Sequence, residues 1–595
     1  MKNAFVIVTL SSLLAACALA PNGGNTDAGR GPVSDLVAVS EEGDAPDAEA
    51  ASDEKLPNVA LTPELLYQVM RAELDFKEGN WQAPYLSMMG LAQQTRDPRL
   101  AKRAAEIALA GKKNEEALVA ISLWRQLAPD SDEAVQYYLG FAVMADKLDE
   151  AEAVFRTRLA EASPAARPLA MFQVQQYLGR ARDKAAATAM LQRLLTPYMA
   201  TLEARVVLAQ AAFARGANEL ALSEAQAALA INPHSEVAVL TLAQVTQDQA
   251  EVASLLGKFV ADNPTAQEAR AALARVLVTQ KQYQQARKEF LALLKDQPDN
   301  LGTLYALGIM SMQLDEPAAA EKYLAHFIKV HTANPSDERD PAKVLLMLSQ
   351  LAEDRGDLKA ARDWLEQVDE EEPATFFGAQ IKRAQLLGKG GDLAGADALL
   401  STLKPEDAAG EAHVVLARGQ ILRDAGKLAE AYTLMQAGAA RYPANTDLLY
   451  DFALLAEKTG HPEVMEKSLR QVMELAPDSH HAYNALGYSL AERNVRLDEA
   501  LVLIDKALKL SPQDPFIMDS MGWVQYRLGK LDEAADYLRR AYTLRPDVEI
   551  AVHLGEVLWH KGDKSGAQTI WRQARAKDPK NDTLKNTLAR LHLNL

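Results

Sequence analysis

The chain has 595 residues, 48% of them hydrophobic and 24% charged, with a formal net charge of −17 and a single cysteine. So acidic a balance weighs against nucleic acid, whose phosphates call for a basic stripe, and against direct adhesion to anionic lipid. One cysteine excludes an internal disulfide.

Lys2 opens the chain, and an apolar run follows from Ala4 to Leu14. That run is too short for a membrane-spanning helix of about twenty residues. It has the layout of a secretory signal, expected over residues 1–16 and absent from the folded protein. The run closes on Leu14, Ala15, Ala16 and Cys17, which resembles the bacterial lipobox. The resemblance implies lipidation of Cys17, and acylation would also cap an otherwise unpaired thiol. Ala18 in place of aspartate implies transfer to the outer membrane of a Gram-negative bacterium, facing the periplasm. Small and acidic residues dominate residues 17–61; between 18 and 60 nine acids face Arg30 and Lys55, net −7. Nothing there buries enough apolar surface to fold, so the stretch reads as a disordered tether, spanning about 35 Å as a coil.

From residue 62 the chain repeats. Pro443, Pro477, Pro512, Pro546 and Pro579 are separated by 34, 35, 34 and 33 residues. A period near 34 is the length of one helix–turn–helix unit. Met518, Met521 and Val524 mark the buried face of a first helix, and Gly522 among them marks a close helix approach. Gly529 suits the left-handed turn that ends it. A second helix follows, with Ala534 at the crossing and Leu538 and Ala541 inside, and Pro546 stops it. Weaker copies pair Ala117 with Pro129, Ala221 with Pro233, Ala286 with Pro298, and Ala361 with Pro373. Two stretches, beginning at Met171 and Glu236, are irregular, and the second lacks a turn glycine. The expectation is an all-α solenoid of roughly fifteen helix pairs, degenerate over 62–411 and regular over 412–595.

This pattern resembles the tetratricopeptide repeat. Leu554, Gly555, Leu558, Gly562, Ala567, Trp571, Ala574 and Pro579 carry one copy, and Ala412, Val415, Gly419, Leu422, Gly426, Ala431 and Pro443 another.

No nucleophile elbow, phosphate loop, zinc-protease or paired-cysteine motif occurs, so neither enzyme, cofactor nor metal is expected. The Gly388–Asp392 stretch reads as a turn between helices. His480 and His481 point about 100° apart on a helix, and His553 and His560 lie about 10 Å apart along its axis; solvent or partner contacts are expected of both pairs. Asp519, Trp523 and Tyr526 form one helical stripe, offset from Met518, Met521 and Gln525. Val552, Glu556 and Trp559 repeat it in the next unit, and Asn484 and Tyr488 in the preceding one. In the resembled family this side of the first helix lines a concave groove, which implies partner binding by Asn484, Tyr488, Asp519, Trp523, Tyr526, Glu556 and Trp559. Aromatics beside fixed charges suit an extended peptide or a partner's helix. The alternative is that the rings fill gaps between neighbouring repeats. There is no full match to the lysine–asparagine clamp for terminal carboxylates.

The opening stretch from Leu61 to Leu109 and the tail stretch from Asn484 to Ala534 also resemble the outer-membrane tetratricopeptide lipoproteins that partner a periplasmic carboxyl-terminal-processing protease. The resemblance implies a non-catalytic adaptor that activates the protease and presents peptidoglycan hydrolases to it, touching the membrane only through its lipid. A scaffold for assembling a secretin, pilus or polysaccharide exporter shares the same physical features.

Overall fold

The computed structural model describes residues 56–57, 59–334 and 340–594. The expected signal, Cys17 and nearly all of the tether lie outside them. Among the described residues the regular structure is entirely helical. Its 31 α-helices follow one another as fifteen pairs and a final single helix, Asp582–Arg590. Contacts divide the chain into two compact units, with the division between Val330 and His331. The expected change from degenerate to regular repeats, at residue 412, falls inside the second of them.

One pair shows why the sequence folds this way. Asp514 caps the helix Pro515–Arg527, accepting from the backbone N–H groups of Phe516 at 2.8 Å and Ile517 at 3.1 Å. Those donors have no partner inside the helix, and Pro515 forfeits a donor that the first turn does not need. Gly529 ends the turn with φ +80° and open space around it. Asp532 and Glu533 then sit in the first turn of Leu531–Leu544, where the positive end of the helix dipole favours them. A Cβ on Gly522 would stand 2.6 Å from Leu538 Cγ and 3.1 Å from the Ala534 carbonyl oxygen, so the crossing requires glycine.

The crossing alanines read from the sequence, namely Ala117, Ala221, Ala286, Ala361, Ala431, Ala534 and Ala567, are all 0% exposed, as is Ala500 at the same place in its copy. Ala151, Ala320 and Ala396 occupy the same place in copies whose proline departs from the usual spacing of twelve residues. Helix caps were not legible from the period alone. Ser131, Asn300, Asn445, Asp514 and Asn581 each accept a backbone N–H at a first-helix start, and each stands two residues after a repeat-ending proline.

A buried polar ladder as candidate functional site

Three successive first helices, His480–Glu492, Pro515–Arg527 and Val548–His560, carry the residues expected to bind partners. The structure brings most of them together, but as an internal seam. Asp519 is 7% exposed, Trp523 3% and Glu556 1%, while Asn484, Tyr488, Tyr526 and Trp559 are half-buried. Open-groove contact is therefore ruled out for the three buried members. First helices of adjacent repeats pack side by side, so a residue offset from the core face meets the neighbouring helix.

His553 is the hub. It was expected to meet solvent or a partner; instead it is buried at 4% exposure. Its Nδ1 lies 3.0 and 2.9 Å from the two oxygens of Asp519, and Nε2 lies 3.5 Å from the Tyr488 hydroxyl. The Trp523 ring stacks on it at 4.3 Å and 24°, and the indole N–H donates to Glu492 at 2.7 Å. Burial works against charge on His553, yet the charge and hydrogen bond of Asp519 outweigh it and raise its pKa above 6.5. Burial, reinforced by Glu492 and Asp519, pushes the Tyr488 phenol well above its usual range.

A second cluster continues the seam. Arg590 donates two bonds to Glu556, at 2.9 and 2.7 Å, and the Tyr526 hydroxyl donates to Glu556 at 3.0 Å. Tyr526 also lies 3.2 Å from Nδ1 of His560. Burial first, then the charge of Glu556, raises the Tyr526 phenol. A buried carboxylate is costly unless fully paired, and here a two-pronged guanidinium and a phenol supply the pairing. Trp559 stands apart, 6.0 Å from Trp571 and with Lys564 over its ring at 5.0 Å. Asn484 joins neither cluster, and its buried Oδ1 has no hydrogen-bond partner.

Glu492, His553, His560 and Arg590 complete the seam, although the sequence reading gave none of them a role there. A signal for three of the contacts was present. Asp519 and His553, Tyr526 and His560, and Glu556 and Arg590 each stand 34 residues apart, one repeat period. In stacked repeats residues one period apart are spatial neighbours, so complementary types at that spacing are candidate bonds. The arrangement fixes the rotation of each first helix against the next. A His–Asp pair also occurs in acid–base catalysis, but this one is sealed beneath Trp523 and Tyr488, and its evident work is positional.

His480 and His481 bring their rings within 4.0 Å of each other. Among the described residues no group of three or more His, Cys, Asp or Glu side chains could hold a metal, and no helix is long and apolar enough to cross a membrane.

Comparison with known proteins matches residues 247–308, 450–515 and 520–582 to the tetratricopeptide repeat family. The first of these lies within the stretch read as degenerate. A tetratricopeptide-repeat-containing protein of Pseudomonas aeruginosa is 43% identical over 162 residues, 27% of this chain and 28% of that protein. A human protein O-mannosyl-transferase is 28% identical over 169 residues, 27% of this chain and 19% of that one. The chain thus spans under a third of the length of either relative. The crystal structure of a tetratricopeptide repeat protein from Parabacteroides merdae aligns at 18% identity, covering 42% of this chain and 97% of that one, with a TM-score of 0.33. A thermophilic repeat protein of Thermus thermophilus aligns at 23%, covering 31% of this chain and all of that one, with a TM-score of 0.28.

Proposed function

We propose that this tetratricopeptide-repeat protein, whose repeats mark a scaffold for protein–protein interaction, is a lipid-anchored adaptor of the bacterial outer membrane. It binds and activates a periplasmic carboxyl-terminal-processing protease and presents peptidoglycan hydrolases for degradation, without a catalytic step of its own. The observation that carries the adaptor reading is the buried ladder across three successive first helices. Its bonds fix side chains and helix rotation before any partner arrives, which lowers the ordering cost of binding. The half-buried Tyr526 and Trp559 and the exposed Glu492 and His560 lie at its edge, where a partner reaches them. Support for the protease and for the membrane address comes from the resemblance of residues 61–109 and 484–534 to the lipoprotein adaptors and from the lipobox at Cys17.

Affinity capture from envelope extracts tests the reading. The expected catch is a serine protease of the carboxyl-terminal-processing class together with cell-wall hydrolases, which also accumulate when the protein is deleted. Recovery of neither, with loss of a pilus or secreted polymer in the deletion strain, overturns it in favour of an envelope-assembly scaffold.

A further inference from the structure

The fourth helix pair, one of the two stretches whose repeat pattern is irregular, leaves a cleft. Its helices Arg167–Leu178 and Lys184–Leu195 are joined by five residues, 179–183, where the Pro515–Arg527 pair uses three, 528–530. A cavity of about 440 Å³ opens between these helices and Leu202–Ala214, within the range of ligand clefts, about 300–1,000 Å³. Leu178, Ala187 and Leu191 form its buried floor, and the half-buried Phe172 its wall.

The charge around it runs against that of the chain. Lys184 and Arg215 line the cleft from exposed positions, and no carboxylate lines it. Arg180 and Arg182 stand on the same exposed turn. Neither they nor Arg215 form an ion pair with a described residue; the one bond of Arg182 is from its backbone N–H to Asp146. Lys184 donates to the carbonyl of Gly179. Asp183, the one acid of the turn, is engaged as a helix cap, accepting from Ala186 at 2.9 Å. An apolar cleft rimmed by cations that no described carboxylate pairs, on a protein of net charge −17, is complementary to one kind of guest.

We infer that this cleft docks an acidic segment of a partner protein, with a large apolar side chain as anchor and flanking carboxylates over Arg180, Arg182, Lys184 and Arg215. Buried anchors carry most of the energy of such contacts, and the rim charges set partner choice and salt dependence. The inference goes beyond the adaptor reading and needs neither the protease nor the lipid.

Fluorescence anisotropy on the purified full-length chain tests it with a labelled Asp-Glu-Phe-Glu-Asp peptide. Binding is expected to be about tenfold tighter than for Lys-Lys-Phe-Lys-Lys or Asp-Glu-Gly-Glu-Asp. Arg215→Glu and Ala214→Trp change exposed residues of the cleft and should each weaken it about fivefold or more, with the helical circular dichroism unchanged. Equal affinity for the lysine peptide, or indifference to both substitutions, overturns the assignment. So does displacement of the peptide by micromolar laurate, which would make the ligand a small amphiphile. Tighter peptide binding after Asp35→Asn, Glu41→Gln and Glu42→Gln together would mean that the chain's own acidic tether fills the cleft, and would likewise overturn it.

Discussion

The seam of residues 480–590 and the cleft of residues 167–215 are built from the same helix–turn–helix plan with opposite results. In the seam the first helices meet through charged and aromatic bonds one period apart, and the space between repeats is filled. Around the cleft the first helices meet through a Gln175–Gln210 contact of 3.4 Å, the turn is longer, and space is left. The turns differ too. The regular repeats place Gly426, Gly460, Gly529 and Gly562 at positive φ, with Asn494 and Arg496 as exceptions, whereas in the N-terminal unit Lys112, Asp146, Lys281 and Asp315 share that conformation with Gly79 and Gly216. In these two places the regular repeats close the space between first helices and the irregular pair leaves it open.

The sharpest test of that contrast is a methyl group. A Cβ on Gly555 would lie 2.3 Å from Nε1 of Trp571, which is fully buried, whereas one on Gly90 meets nothing within 4 Å. Gly555→Ala should cost about 2–3 kcal/mol through overpacking. Gly90→Ala should add about 0.5–1 kcal/mol through helix propensity. Hydrogen exchange of the two host helices reads both effects locally.

Arg590→Ala should cost about 2 kcal/mol by stranding the buried carboxylate of Glu556. Adding Glu556→Gln should recover part of the loss, because the stranded charge is gone; an additive double variant would mean that the pair is not coupled.

The His553–Asp519 pair gives a pH dependence of known sign. The folded pKa of His553 is raised above 6.5, so the stability it contributes is full below the unfolded value and is lost as pH rises through the folded one. The gap in urea midpoint between the native chain and His553→Gln should therefore narrow as pH rises above 6.5, followed by Trp fluorescence. A gap that widens with pH contradicts the assignment.

Lys281→Gly should stabilise its repeat by about 1 kcal/mol, because Lys281 holds φ 59° at a turn where glycine is free of the Cβ penalty. The smallest effect belongs to the surface network of Glu466 with Arg496 and Arg470. The Arg496 hydrogen bonds, reinforced by Arg470, hold the Glu466 pKa down to about 2. The two arginines of this network keep 42% and 46% of their side chains in solvent, which screens the pairing, so Glu466→Gln should change stability by less than about 1 kcal/mol. What that network adds is present above the ordinary carboxylate pKa of 4.5 and fades as pH falls through about 2.

Much of the fold could be read from residue spacing. Proline, alanine and glycine recur because a helix pair must stop, cross and turn at fixed places, and each requirement admits few residue types. The stripe on the first helix was also legible as a set, since 3.6-residue periodicity groups Asp519, Trp523 and Tyr526. Whether that set faced a groove or a neighbour was not, because periodicity gives a direction around one helix and says nothing about what lies there. The cleft was visible only as irregularity at Met171.

The sequence by itself determined the repeat, its period, and the helical pairs that follow, since these depend on local propensity and on contacts within one unit. Only the tertiary structure decided that Trp523 and Glu556 are interior, that His553 joins three helices, and that Lys184 and Arg215 rim a cavity. Those outcomes depend on how one repeat is rotated against the next, and that rotation is set by packing between side chains thirty or more residues apart.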